Sequence, residues 1–249
     1  MLKKYFLIIA ILFVSLLSCE KEQVVKKVSG KNFASSLYGL VLRAEPSVKS
    51  GKIMVIPYGA EVRILKYDSK RVTIDNTKGR WAYIDYNGSK GWAFDGFIKD
   101  RLLQNNSAVE SFFSNPFAHK KKYDDKKRIL SEFGQGYSLK EKKTKNPHND
   151  KDTIIYYQIT YPGIEFVICR LSDGREMTVK CVITGNREAM KLNVRIGGDY
   201  HGVIDTFGYP AEFKDSTIRY YPGEYWGSYV DFTLKDGKIS SVGVYNLLD

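Results

Sequence analysis

Three cysteines (Cys19, Cys169, Cys181) and three histidines (His119, His148, His201) are the residues best suited to nucleophilic or metal chemistry in this 249-residue chain. Their placement argues against both. A thiol nucleophile needs a neighbouring imidazole, and a zinc site draws on closely spaced ligand pairs. Here the histidines are scattered, and Cys169 and Cys181 sit inside strand-like apolar runs. There is no Gly-x-Ser-x-Gly elbow, no His-Glu-x-x-His pair and no phosphate loop. The adjacent carboxylates Asp124 and Asp125 read as a helix start. No catalytic residue, metal or cofactor is expected, and the chain reads as a binding protein rather than an enzyme. Hydrophobic residues at 43% and only 7 Pro against 18 Tyr and 13 Phe are a globular, strand-favouring composition, which excludes a disordered or collagen-like chain.

Cys19 calls for different chemistry. Lys3 and Lys4 precede an apolar run from Tyr5 to Leu17, broken only by Ser15. That run is too short to cross the roughly 30 Å of a bilayer's hydrocarbon core as a helix and fits an export signal. Its end, Leu16-Leu17-Ser18-Cys19, resembles the lipobox of bacterial lipoprotein signal peptides. The resemblance implies that residues 1–19 form the signal, that the Cys19 thiol carries a diacylglyceryl group with palmitate-type chains, and that cleavage makes Cys19 the new N-terminus. The expected location is the bacterial cell envelope, with the membrane as one partner. Residues 20–35, polar and aperiodic, read as a tether.

Aromatic residues are the other candidates for binding chemistry. Between residues 36 and 102 short strand-like runs recur at 40–43, 53–56, 61–67, 80–86 and 89–94, with Asn87-Gly88 as a hairpin turn. Leu40-Val41-Leu42-Arg43-Ala44-Glu45-Pro46-Ser47, followed by Val55, Tyr58-Gly59, Glu61-Val62 and Ile64-Leu65, resembles the opening pattern of bacterial SH3 domains. Arg80-Trp81-Ala82-Tyr83-Ile84, Tyr86-Asn87-Gly88-Ser89-Lys90-Gly91-Trp92-Ala93 and Gly96-Phe97-Ile98 resemble the closing one. Two departures stand out: Ala44-Glu45 before Pro46, and a longer, more charged connection at 72–79. The resemblance implies a small SH3-like β-barrel that binds peptides or cell-wall material and does no chemistry. Trp81, Tyr83, Trp92, Tyr38 and Tyr58 are its candidate ligand-binding residues. Flat rings can line a shallow groove or fill the core of so small a barrel, and both placements stay open.

The remaining chain alternates helix and strand signals. Ser107-Ala108-Val109-Glu110 has capping-box form, Asn115-Pro116 ends that helix, and Asp124 can cap a second one ending at Phe133-Gly134. Gly198-Asp199 through Phe207-Gly208 repeats the theme. Each Phe-Gly is followed by extended runs and a hairpin, at Asp173-Gly174 and Asp236-Gly237. Two related units follow, 103–190 and 191–249, with a lysine-rich loop at 140–150 absorbing their difference in length. The second unit resembles BamE-like and beta-lactamase-inhibitor-like domains in its Gly, Pro and hydrophobic spacing, which implies protein binding. The expected fold class is mainly β with some α, a small SH3-like β-barrel followed by an α+β region of two helix-plus-antiparallel-sheet units. Tyr225 and Trp226, in the segment Tyr220-Tyr221-Pro222-Gly223-Glu224-Tyr225-Trp226-Gly227, are candidate partner-binding residues if their rings are exposed. The alternative function is then a protein inhibitor or an envelope assembly factor.

Charge selects among partners. The formal net charge is +11, and it lies in the first half: residues 20–152 carry 27 Lys and Arg against 16 Asp and Glu, residues 153–249 only 10 against 12. For an exported chain this suits peptidoglycan, other anionic wall material, anionic lipid or an envelope protein, and not nucleic acid. Taking Asp173-Gly174 as a two-residue turn sets Cys169 opposite Thr178 and Cys181 opposite Phe166. The two thiols then lie on opposite faces of a hairpin and cannot pair.

Overall fold

A computed structural model describes residues 30–120, 123–146, 149–223 and 227–246. Contacts divide them into two units. One holds residues 30–32, 41–55 and 61–96; the other holds 33–40, 56–60 and everything from 97 onward. The segment expected as an export signal, with Cys19, lies outside the described residues, as do His148, Tyr225 and Trp226.

The first unit is an antiparallel sheet made from tight turns. Strands β2 (Leu40–Arg43), β3 (Lys52–Ile56), β4 (Glu61–Ile74), β5 (Thr77–Tyr86) and β6 (Ser89–Phe94) run in the order β3-β2-β6-β5-β4. Asn87 and Gly88 both take positive φ, 51° and 86°, and join β5 to β6 as a two-residue turn whose twist matches its strands. The runs expected at 61–67 and 80–86 are longer than the periodicity indicates. Asp75 and Asn76 also take positive φ, 47° and 61°, so the charged connection at 72–79 is itself a hairpin. Leu42, Val62, Ile64, Ala82, Ile84 and Ala93 are the buried interior.

The boundaries differ from the expected 36–102. Residues 32–34, read as tether, form β1 (Asn32–Ala34), which pairs with β7 (Ile98–Lys99). Leu37 is buried in the core of the second unit, which is why the segments at 33–40 and 56–60 group with it.

That second unit contains a duplicated element. Helix α1 (Asn106–Ser114) starts at Asn105, whose side chain caps the Ala108 N–H, so Ser107 lies inside the helix and not at its cap. Helix α2 (Lys126–Phe133) is capped by Asp125, not Asp124, which instead pairs with Arg128 one turn on. Four strands follow: β8 (Ser138–Asn146), β9 (Asn149–Tyr161), β10 (Ile164–Arg170) and β11 (Glu176–Ile183). Helix α3 (Tyr200–Phe207), capped by Asp199, is followed by β12 (Glu212–Lys214), β13 (Thr217–Tyr220), β14 (Tyr229–Lys235) and β15 (Lys238–Tyr245). The two sets of strands form one eight-stranded sheet, β12-β13-β14-β15-β11-β10-β9-β8. The lysine-rich segment expected as a loop is mostly the edge strand β8, where repeated lysines discourage pairing with another chain.

The likeness of the copies extends to single atoms. Both helices stop at a glycine with positive φ, Gly134 at 71° and Gly208 at 74°. The carbonyl of each accepts a tyrosine hydroxyl from the end of a strand, Tyr161 at 3.1 Å and Tyr220 at 2.8 Å. Phe133 packs on Phe166, and Phe207 on Phe232. The copies join through their last strands. Cys181 faces Val244, Ile183 faces Val242, and Val182 faces Gly243. Within the copies Phe166 faces Cys181 and Phe232 faces Val242. Cys181 and Val242 are therefore equivalent positions, as are Ile183 and Val244, and the joint is an approximate dyad through Val182 and Gly243.

The turn at Asp173-Gly174 departs from expectation. Only Gly174 takes positive φ, 86°, and the loop is one residue longer, with a register shift after Val167. Cys169 therefore faces Met177 rather than Thr178, while Cys181 faces Phe166 as expected. Both cysteines are buried and free. No described helix is long and apolar enough to cross a membrane.

Candidate ligand-binding site

The register of the first unit lines four side chains across four strands. Arg43 on β2 lies opposite Trp92 on β6, Trp92 opposite Tyr83 on β5, and Tyr83 opposite Lys66 on β4. Directly opposed residues point to the same face of a sheet. The Tyr83 and Trp92 ring centroids are 5.2 Å apart with the planes tilted by 59°. The Lys66 ammonium lies 5.3 Å from the Tyr83 centroid and 5.6 Å from that of Trp92, within cation–π range of both. Arg43 donates to the Ser50 carbonyl at 2.7 Å, which holds its guanidinium in place. Both rings are half-buried. The result is an aromatic pair flanked by two cations.

The neighbouring rows set the limits of this patch. On one side Trp81 and Phe94 meet edge to face at 6.2 Å and are buried, Trp81 at 5% exposure. On the other, Arg63 bonds Asp85 at 2.5 Å, and this bond holds the Asp85 carboxyl below the usual carboxylate range. Trp81 is thus buried, while Tyr83 and Asp85 farther along the same face are only half-buried. An open polar cleft of about 480 Å³, lined by Glu61, Arg63, Asp85 and Asn87 among others, adjoins that last row. The patch can stack a flat or CH-rich surface and pair with carboxylates.

Residues 39–99 match the family model of the bacterial SH3 domain. Comparison with curated proteins and with solved structures returns no match. Every residue of the row just described belongs to the matched SH3 segment.

Of the five aromatic candidates, the structure brings two together. Tyr83 and Trp92 form the pair, while Trp81 is a core residue, buried against the Phe94 ring opposite it. Tyr38 and Tyr58 group with the second unit. Tyr38 meets Tyr200 and Phe213 edge-on at 5.7 and 5.5 Å, yet its own surface is 55% exposed. The Tyr58 hydroxyl donates to the Pro210 carbonyl at 2.9 Å, and burial pushes its pKa up. These two are therefore not part of the Tyr83–Trp92 row. In the candidate partner-binding segment, Tyr220 is fully buried, while Tyr221 is half-buried and its hydroxyl donates to Glu212 at 2.6 Å. Lys66 and Arg43 were not singled out from sequence. The alternation of β4 could have indicated Lys66, except that a register shift between Ile64 and Lys66 moves it onto the aromatic row.

Two further concavities lie in the second unit. A cavity of about 260 Å³ is lined by Phe113, Tyr123, Met177 and Val244 among others. A wider groove of about 1060 Å³ runs between the 186–198 segment and α3.

Proposed function

We propose that this protein is a lipid-anchored, non-catalytic binding protein of the bacterial cell envelope, whose SH3 segment holds wall peptide or another envelope protein. The observation that carries the reading is the row Arg43, Trp92, Tyr83 and Lys66, because rigid half-buried rings between cations fit ligands that combine flat or apolar surface with carboxylates. Wall peptides carry both. The basic half of the sequence favours the same anionic partners. The anchor rests on the residues before Cys19 and on the cysteine itself. Acyl chains at about 0.8 kcal/mol per buried CH₂ would keep the SH3 segment close to its ligand.

The full chain should co-sediment with purified peptidoglycan and release no soluble fragments from it. Combined Tyr83→Ala and Trp92→Ala should cut that retention about tenfold, given about 0.5–1.5 kcal/mol for an aromatic contact and tenfold per 1.4 kcal/mol. Unchanged retention would remove the patch from the function. A mature N-terminus whose mass shows an unmodified cysteine would remove the anchor.

A further inference from the structure

The hairpin around Asp75-Asn76, which departs from the SH3 pattern, has a chemistry of its own. Strand β6 pairs with β5 only along 81–86, whereas β4 and β5 stay paired out to Ile74 and Thr77. Residues 71–80 thus form a two-stranded arm around the Asp75-Asn76 turn. Arg71 lies directly opposite Arg80, and Thr73 opposite Lys78. Arg71, Lys78 and Arg80 therefore share one face.

Like charges directly opposed on a sheet destabilise it. Arg80 is the compensated member. Its guanidinium stacks 3.8 Å over the Tyr67 ring and reaches Asp95 at 3.4 Å, while Asp95 also accepts the Arg80 backbone N–H at 2.7 Å. Arg71 and Lys78 are exposed, and neither has an ion-pair partner among the described residues. The other face of the arm is held down. A side chain at Gly79 would meet Asp95 at 2.5 Å and the Phe94 ring at 2.8 Å, and Val72, Ile74 and Thr77 are half-buried there. The arm is thus fixed by one face and presents three cations on the other, two of them with no internal anion.

We propose that this face is a clamp for the phosphate groups of a polyanionic polymer, separate from the Tyr83–Trp92 patch. One guanidinium satisfies a carboxylate in a bidentate pair, whereas the unpaired Arg71 guanidinium and the Lys78 ammonium together, with the compensated Arg80 behind them, offer the larger donor set that a tetrahedral phosphate accepts. The face is open, without walls to enclose a single ion, so affinity comes from successive charges along a chain. Val72 and Ile74 point away from the cations, so the clamp has no apolar wedge to enter a bilayer, and a soluble polymer is the occupant it fits.

The test uses the full chain with inorganic polyphosphate as the probe, titrated at low and high salt. Binding should weaken steeply with salt and drop about tenfold in Arg71→Ala and in Lys78→Ala. Neither variant should lower the thermal midpoint, because both side chains are exposed and neither holds an ion pair among the described residues. Tyr83→Ala should leave polyphosphate binding intact, and polyglutamate of equal charge should bind several-fold more weakly. Unchanged polyphosphate affinity in both Arg71→Ala and Lys78→Ala would overturn the clamp. Equal loss in Tyr83→Ala would overturn its separateness. Tighter binding to phosphatidylglycerol vesicles than to polyphosphate would overturn the choice of a polymer over a membrane.

Discussion

Trp81 and Tyr83 stand two residues apart on one face of β5, and the fold uses them differently. Trp81 lies opposite Phe94 and is buried; Tyr83 lies opposite Trp92 and keeps part of its ring in solvent. Trp81→Ala should cost about 3–5 kcal/mol in denaturant unfolding, as for large aromatics removed from a core, while Tyr83→Ala should cost well under half of that and act on binding instead. The sequence places both on the same face by alternation, but burial depends on what sits across the sheet. Tyr38 and Tyr58 show the same limit more sharply. The hydroxyl of Tyr58 is bonded to a residue 152 positions away, a contact with no local trace. The charged residues of the site were hidden for a third reason, since a single register shift in β4 decides which face Lys66 joins.

At the scale of elements, the strongest local signals proved the most reliable. The turn at Asn87-Gly88 and the strands at 40–43 and 89–94 stand where short-range pattern puts them, because positive-φ residues and alternation are properties of a few neighbours. Asp-Gly alone did not determine a turn. At Asp236-Gly237 both residues take positive φ and the loop has two residues, whereas at Asp173-Gly174 only the glycine does and the loop is longer. Asp75-Asn76 lacks the glycine and still makes the tight form. The helix ends were legible at their Phe-Gly, but the tyrosine hydroxyl that closes each was not. Tyr161→Phe and Tyr220→Phe each delete one such bond to a helix-terminal carbonyl. Each should cost about 0.5–1.5 kcal/mol, read as a fall in denaturant midpoint with unchanged slope, and similar losses in the two would mark equivalent roles.

For the molecule as a whole, the repeat visible in the sequence builds one sheet and not two separate domains. Its buried cluster draws on both copies: Phe166 and Ile183 from the first, Phe232 and Val242 from the second, with Phe112 of α1 packed on Phe207 and Phe232. A core shared in this way opens as a unit. Native-state hydrogen exchange should therefore give the central amides of β10 and β14 the same maximal protection, and a clearly lower limit in one copy would show that the halves open separately.

The dyad at Val182 and Gly243 carries a historical implication. A lone ancestral repeat would expose its final strand as a bare edge, and two such molecules could satisfy each other along it in the antiparallel sense that β11 and β15 now use. Fusion into one polypeptide frees the halves from having to remain identical. Where strict symmetry would set two like residues face to face, valine now meets glycine, and the Tyr245 ring lies over the space that a second side chain would fill. A tandem arrangement lets one half change while the other continues to complete the sheet.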